Sequence, residues 1–388
     1  MAPIKSSLAK TAKQLLGLRN TADLGLRGAT QPFREQATSP ITATGGTKNT
    51  SVGDGYIYHV YEQTGVGSPN PSTFVISSGF DTVEVLVIGG GGGAGSMPSG
   101  SSPTAPTGRN GGNPGGGGGG AAVGPVGKLA PGTYPLTVGA GGKGRGAVSD
   151  GPSAYNQPSP ADTFGTAGEA GGTSNFNGVI QATGGSGGPA DASVSPLPNA
   201  YPAPERLVTT RAPGGTGSGG TTNGTGGYGG HGVMPGSPGT GSGENGQNGT
   251  NAAGGGGGGS DESTAATGGN GTTSLLGPYG AGGGGGGSRD QGGGPASGGA
   301  GGTGMFAGGR GGGSGSGAQN GSGPTTSRGL GGQGDNFPPG GPRGNNGGGG
   351  GCYGGGGGGL ADLYNNGTKG VSGSGAGGLV VVRYAAPS

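Results

Sequence analysis

One cysteine, Cys352, in 388 residues excludes an intrachain disulfide, and His59 and His231, the two histidines, are too few to build a metal cage by themselves. Charge is scarce as well. Charged residues make up 9% and the net charge is +2, so nothing drives the chain generally toward nucleic acid or a membrane surface. Hydrophobic residues make up only 26%, which puts a conventional large core out of reach at this length. No apolar run approaches a membrane span, and the N-terminus is basic without the apolar segment of a secretory signal. On that reading, action outside the cell of origin would need another route of export. No metal or cofactor is expected.

What the chain has instead is glycine, 119 residues of it. That share is close to collagen's one-third, but the glycines come in runs and not in a strict three-residue repeat. A flexible Gly/Ser linker is the other default for such a composition, and it would lack buried anchors. Anchors are present. Thr82-Val83-Glu84-Val85-Leu86-Val87-Ile88 reads as a strand leading straight into Gly89 to Gly93, and Leu379-Val380-Val381-Val382-Arg383-Tyr384 closes the protein after Gly377-Gly378. Both are apolar on both faces, as strands in the middle of a packed structure are. They are expected to be neighbours in one sheet, a clasp that returns the ends of the glycine region to a common base.

Residues 1–40 form a basic, glycine-poor arm with Lys5, Lys10, Lys13, Arg19, Arg27 and Arg34. Leu8, Ala12, Leu15 and Leu16 fall on one stripe of a short helix starting after Ser6-Ser7, marginal alone in water. The arm is expected to anchor the protein to a larger assembly; the plainer alternative is a solvated tail. Residues 41–55 read as a Thr/Gly/Asn/Ser linker, and residues 56–388 as the main glycine-rich domain. Tyr56 to Tyr61 and Thr73 to Ser77 read as strands, the second joined to the clasp strand by a tight turn at Ser78-Gly79-Phe80-Asp81. Two more strands are expected at 132–139 and 174–183, with Pro135 pushing the former toward a sheet edge.

Six uninterrupted glycine runs follow: Gly89 to Gly93, Gly115 to Gly120, Gly254 to Gly259, Gly282 to Gly287, Gly347 to Gly351 and Gly354 to Gly359. Ordering each residue costs about 1–2 kcal/mol of backbone entropy, with no side chain to bury in return. The compensation must come from backbone packing. A left-handed helix of about three residues per turn leaves its amides free to bond sideways, and without Cβ atoms such helices can approach closely enough to do so. The expected fold is therefore mainly β: a short antiparallel sheet or sandwich with stacked polyglycine II helices and the short N-terminal α-helix. Asn-Gly, recurring at Asn110, Asn177, Asn223, Asn245, Asn248, Asn270, Asn320 and Asn366, reads as tight returns between the helices.

The strand motifs Phe74-Val75-Ile76, Val83 to Gly90, Tyr134 to Gly142, Asn175 to Gly178 and Gly377 to Tyr384 together resemble the glycine-rich domain of many bacteriophage virion proteins and bacterial surface proteins. The likeness covers roughly residues 56–385. In the related tail-tip adhesins of some T-even-type phages, stacked polyglycine II helices carry variable loops that bind host receptors. The opening Met1 to Leu8 is similar to the starts of structural proteins from marine cyanobacterial phages. The resemblance implies a homo-oligomeric virion protein held by its N-terminal arm, through Lys5, Leu8, Ala12, Leu15 and Leu16, to other virion proteins. Its partner would be a host cell-surface glycan or protein. The basic arm and flanking strands depart from the adhesins and leave tail fibre, tail tip and capsid surface open, the last making it a decoration protein.

No catalytic constellation emerges, so a non-enzyme is expected. Ser218 and Ser314 lie in G-x-S-x-G strings, which glycine at this frequency produces by chance, and no strand leads into a helix there. Asp261-Glu262 lacks the spacing of a calcium loop. Arg310-Gly311-Gly312 occurs once, against the repeats of a glycine-rich RNA-binding protein. Among the aromatic and apolar residues stranded in the glycine region, half or more are expected to cap the stack or pack on the sheet. Tyr201, Tyr228, Met305 and Phe306, read as loop residues, are the receptor-binding candidates.

Overall fold

The computed structural model describes residues 38–63, 66–95, 114–144, 167–189, 206–207, 211–234, 244–259, 266–273, 276–287, 303, 348–351, 353–359 and 372–387. The chain divides into two units, Met1–Ser39 and Pro40–Ser388. Residues 1–37, which hold most of the N-terminal arm and the whole of the helix expected in it, lie outside the described residues. No α-helix occurs among those described, and the protein is mainly β.

The strands are β1 Ser39–Thr44, β2 Thr47–Asn49, β3 Tyr56–Glu62, β4 Asn70–Ile88, β5 Ala121–Leu129, β6 Gly132–Val138, β7 Ser174–Phe176, β8 Ile180–Ala182, β9 Arg206–Leu207, β10 Gly217–Ser218, β11 Thr222–Gly224, β12 Val233–Met234 and β13 Leu379–Ala385. All but β9 and β12, which pair with each other, belong to one sheet of order β10-β8-β7-β6-β4-β13-β3-β2. β1 and β5 also pair with β4, and β11 pairs with β5. The expected clasp is present: β13 lies antiparallel to β4, Leu379 opposite Ile88 and Val382 opposite Val85, with β3 on its other side.

Three local expectations are corrected. The turn expected at Ser78–Asp81 is not made, and β4 runs unbroken for 19 residues. Its first half pairs with β6 and its second with β5 and β13, so one strand serves two halves of the sheet. Gly79 permits the change of direction with φ +96°, and a Cβ there would overlap the Pro40 carbonyl of β1. Residues 41–55, expected as a linker, contain most of β1 and all of β2, and Ile41 and Ala43 are buried in the core. Pro135 is not on an edge strand, since β6 lies between β4 and β7; it sits just past the β7 register of Leu136 and Thr137, where its carbonyl still accepts the Asn177 N–H at 2.7 Å.

The sheet covers both of its faces. Val83, Val85, Val87, Val380, Val382 and Tyr384 join Phe74, Ile76, Leu136, Phe176 and Ile180 in one core between the halves of the sheet. On the opposite face Leu86, Ile88, Leu379 and Val381 meet Ala252, Ala253, Leu276, Ala281 and Tyr353, contributed by the glycine region. The alternating apolar faces expected of the clasp strands thus serve two different cores.

Fourteen extended rods make up the described glycine region: 89–95, 114–120, 139–144, 167–172, 183–189, 211–216, 225–231, 244–250, 253–259, 266–272, 281–287, 348–351, 354–359 and 372–378. Their amides bond to other rods with a period of three. Along 89–95, Gly89 and Gly92 donate to Gly120 and Gly117; Gly90 and Gly93 donate to Gly172 and Glu169; Gly91 and Ala94 donate to Ala376 and Gly373. The carbonyls of the same rod accept from Gly142, Gly185, Gly188 and Gly357. It therefore has six neighbours, and so do 114–120, 253–259 and 354–359. Those four rods contain Gly89 to Gly93, Gly115 to Gly120, Gly254 to Gly259 and Gly354 to Gly359. Every rod with six neighbours carries an uninterrupted glycine run; rods 281–287 and 348–351, which carry the other two runs, have fewer neighbours among the described residues.

On two rim rods exposure returns at every third residue. Exposure recurs at Thr225 and Tyr228, and again at Thr267, Asn270 and Thr273. Here Asn-Gly has a role other than the expected turn. Asn245 Oδ1 accepts the Thr267 N–H at 2.8 Å while Gly246 N–H donates to the Thr267 carbonyl at 2.9 Å. Asn248-Gly249 holds Asn270 in the same way at 2.8 and 2.9 Å, and Asn270-Gly271 holds Thr303 at 2.8 and 2.7 Å. Each pair clamps both backbone groups of one residue on the next rod. Asn177-Gly178, by contrast, turns the β7–β8 hairpin, with φ 50° and 68° in the three-residue loop between the paired Phe176 and Ile180.

Candidate binding face

Eight rods continue a strand directly: β4, β6, β8 and β11 lead into 89–95, 139–144, 183–189 and 225–231, while 114–120, 167–172, 211–216 and 372–378 lead into β5, β7, β10 and β13. Near the sheet the rods are joined by short turns or hairpins. One of these, at 250–253, places Asn251 and Ala252 at positive φ. The opposite ends are where the long connections depart. Gly95, Pro114, Gly144, Ala167, Pro189, Arg211, Gly259, Ala266, Gly287, Gly359 and Ser372 all lie at that end by the hydrogen-bond register.

On the rim, rods 211–216, 225–231 and 244–250 lie side by side. Thr216 faces Thr225, and Thr225, Tyr228 and His231 accept backbone hydrogen bonds from Thr250, Gln247 and Glu244 at 2.9, 2.8 and 3.1 Å. The register sets outward side chains in three rows: Thr216, Thr225 and Thr250; Pro213, Tyr228 and Gln247; Arg211, His231 and Glu244.

The rows differ in what they have free to offer. In the threonine row, Thr250 Oγ accepts the Thr225 N–H at 3.0 Å, and Thr183 Oγ accepts that of Thr216 at 2.8 Å, so hydroxyls replace neighbouring rods. In the charged row Arg211 pairs with Glu244, and Arg211 Nε also donates to His231 Nε2 at 3.2 Å. That leaves the aromatic row. Tyr228 is 42% exposed, with Pro213 and Gln247 exposed beside it. A phenol ring presented this way can stack on a planar or apolar ring face while the amide bonds to adjoining polar groups.

Tyr228 is thus at the surface but on a rod, and not in a loop as expected. Its place follows from the triplet Thr225-Gly-Gly-Tyr228-Gly-Gly-His231. Tyr201, Met305 and Phe306 lie outside the described residues, as do Lys5, Leu8, Ala12, Leu15 and Leu16; Thr303, two residues before Met305, is fixed against rod 266–272. Tyr353 is buried in the second core and Tyr279 packs against that core, its ring 5.5 Å from that of Tyr58, which places both among the capping aromatics. Ser218 is exposed in β10 opposite Gln181, with no helix after it.

Elsewhere the titratable groups support the fold. His59 is fully buried; its Nδ1–H donates to the Gly45 carbonyl at 2.7 Å and its Nε2 accepts from the Tyr384 hydroxyl at 3.2 Å. Burial, helped by the Lys48 charge, holds the imidazole below its ordinary pKa. Arg383 pairs with Glu84 at 2.8 Å and lies over the Tyr56 ring. Tyr58 donates to Asp54, which that bond holds below the ordinary carboxylate range. Among the described residues no group of three metal-ligating side chains occurs, and no helix long and apolar enough to cross a membrane. No family model matches the sequence, and no curated protein is significantly similar to it.

Proposed function

We propose that this chain is a structural protein of a bacteriophage particle, a tail-fibre or tail-associated adhesin whose rods are polyglycine II helices presenting loops for attachment to a host surface. The observation that carries the reading is that the long connections depart from one end of the stack. The sheet collects short turns at one end of the stack, and every long connection leaves from the other. The period of three in the hydrogen bonds is that of an extended three-residue-per-turn helix. Loops on such a base can vary without disturbing the cores, as loops on rigid scaffolds do. Tyr201, Met305 and Phe306 belong to those connections, and Tyr228 adds an aromatic on the flank. The partner is a host cell-surface glycan or protein. The arm 1–40 joins the protein, as a homo-oligomer, to its virion neighbours.

Cryo-electron microscopy of the intact particle with this chain traced tests the reading. Density at the tail, with the sheet inward and the long connections outward, is the expected result. Density on the capsid lattice would make it a decoration protein, and absence from the particle would overturn the assignment. In the same particle, Tyr228→Ala should lower host adsorption and leave assembly unchanged.

A further inference from the structure

The Asn-Gly pairs that the stack uses as clamps carry a chemical liability independent of any role in attachment. In such a pair the glycine backbone nitrogen can attack the asparagine Cγ and expel ammonia, closing a five-membered succinimide. Water then opens the ring at either carbonyl and gives aspartate or isoaspartate. Water is consumed, ammonia is released and no electron changes hands. The reaction needs two freedoms: the glycine N–H must be available to lose its proton, and the carboxamide must be free to turn toward it.

Asn245-Gly246, Asn248-Gly249 and Asn270-Gly271 have neither. In each, the glycine N–H donates to the carbonyl of the residue on the next rod, at 2.9, 2.9 and 2.7 Å, and the asparagine Oδ1 is held by that residue's N–H at 2.8 Å. Asn223-Gly224 lies in β11, paired with Ala122 and Ala121 of β5, and the Asn223 amide donates to the Gly220 carbonyl at 3.3 Å. Asn177-Gly178 is different. It is the exposed turn between β7 and β8, closed by Val179 N–H to the Phe176 carbonyl at 3.0 Å, while Asn177 N–H donates to the Pro135 carbonyl of β6 at 2.7 Å. Neither bond uses the Gly178 N–H or the Asn177 carboxamide, and a Cβ at Gly178 would meet nothing within 4 Å.

We propose that Asn177 is where the folded protein deamidates among these pairs, and that the clamps keep Asn245, Asn248 and Asn270 as amides until the stack opens. Conversion at Asn177 adds a negative charge at the tip of the β7–β8 hairpin. Conversion at a clamp to isoaspartate inserts a methylene into the backbone of a rod, so it records an opening that has already occurred.

The test is incubation of the full-length protein in mildly alkaline buffer made with heavy-oxygen water, with peptide mass spectrometry reading label at each site over time. In the folded protein Asn177 should convert at least about tenfold faster than Asn245, Asn248 and Asn270, the ratio set by about 1.4 kcal/mol of opening free energy. In denaturant the rates should converge, which separates protection by the fold from differences between neighbouring residues. Equal rates in the folded protein would overturn the proposal. So would an Asn177 that stays an amide when folded yet converts in denaturant.

Discussion

At Gly117 the absence of one carbon atom decides whether six rods can close around a seventh. A Cβ there would overlap the Pro213 carbonyl oxygen, and at Gly92, Gly256 and Gly357 it would overlap those of Ser186, Tyr228 and Gly373. These are backbone atoms held in hydrogen bonds and cannot swing away as a side chain can. Gly117→Ala gains about 0.4–1 kcal/mol from a less free unfolded chain, but overpacking of this kind costs about 1–3 kcal/mol and occasionally more. The clash should win, with a net loss of about 2 kcal/mol in denaturant unfolding. Gln247→Ala, at an exposed outward position of a rim rod, should stay within about 0.5 kcal/mol of the parent. If Gly117→Ala proved equally silent, the enclosed packing of rod 114–120 would be wrong.

Among the elements, β3 places a titratable group where pH reaches the fold. Its central His59 is neutral between Gly45 and Tyr384, and burial keeps the pKa below the ordinary value of 6.5. The unfolded chain therefore takes up a proton first as pH falls. Stability from this source is full above about pH 6.5, declines below it and levels once the depressed folded value is passed. The melting temperature should fall between about pH 7.5 and about pH 5. His59→Gln should begin less stable and show a flatter dependence over that window; an unchanged slope would locate the titration elsewhere. Asp54, also held low, contributes its loss only at more acid pH. Elements like β3 and β13 were legible in the sequence because their apolar alternation serves packing. The β4 bend was not, because Gly79 within a polar stretch reads equally well as a turn; what removes the turn is β6 pairing with residues 70–76, a contact distant in sequence. The Asn-Gly clamps hid for a related reason: a local rule makes the pair a turn, as it is at Asn177, whereas the repeat from Glu244 to Asn251 has the three-residue period of the rods.

Taken whole, the molecule joins a glycine stack with little apolar surface of its own to a sheet with two apolar cores. A rod residue costs about 1–2 kcal/mol to order, and an amide hydrogen bond returns only about 0.5–1.5 kcal/mol net. Hydrogen bonds therefore do not by themselves make the stack self-supporting. The shortfall is met where rods become strands and where Ala252, Ala253, Leu276, Ala281 and Tyr353 seal the second core. Stack and sheet should accordingly open as one unit. Amide hydrogen exchange tests this at single residues. Along rod 225–231, Gly226, Gly227, Gly229 and Gly230 donate to Gly215, Gly254, Ala212 and Gly257 and should exchange slowly. Tyr228 and His231 have no backbone acceptor among the described residues and should exchange fast, so protection along the rod should repeat every three residues. As denaturant rises, the protected rod amides and those of β13 should lose protection together. A stack that exchanged at lower denaturant than the sheet would show that glycine rods and strands form separate cooperative units, and that the apolar cores do not extend their stabilisation beyond the strand ends.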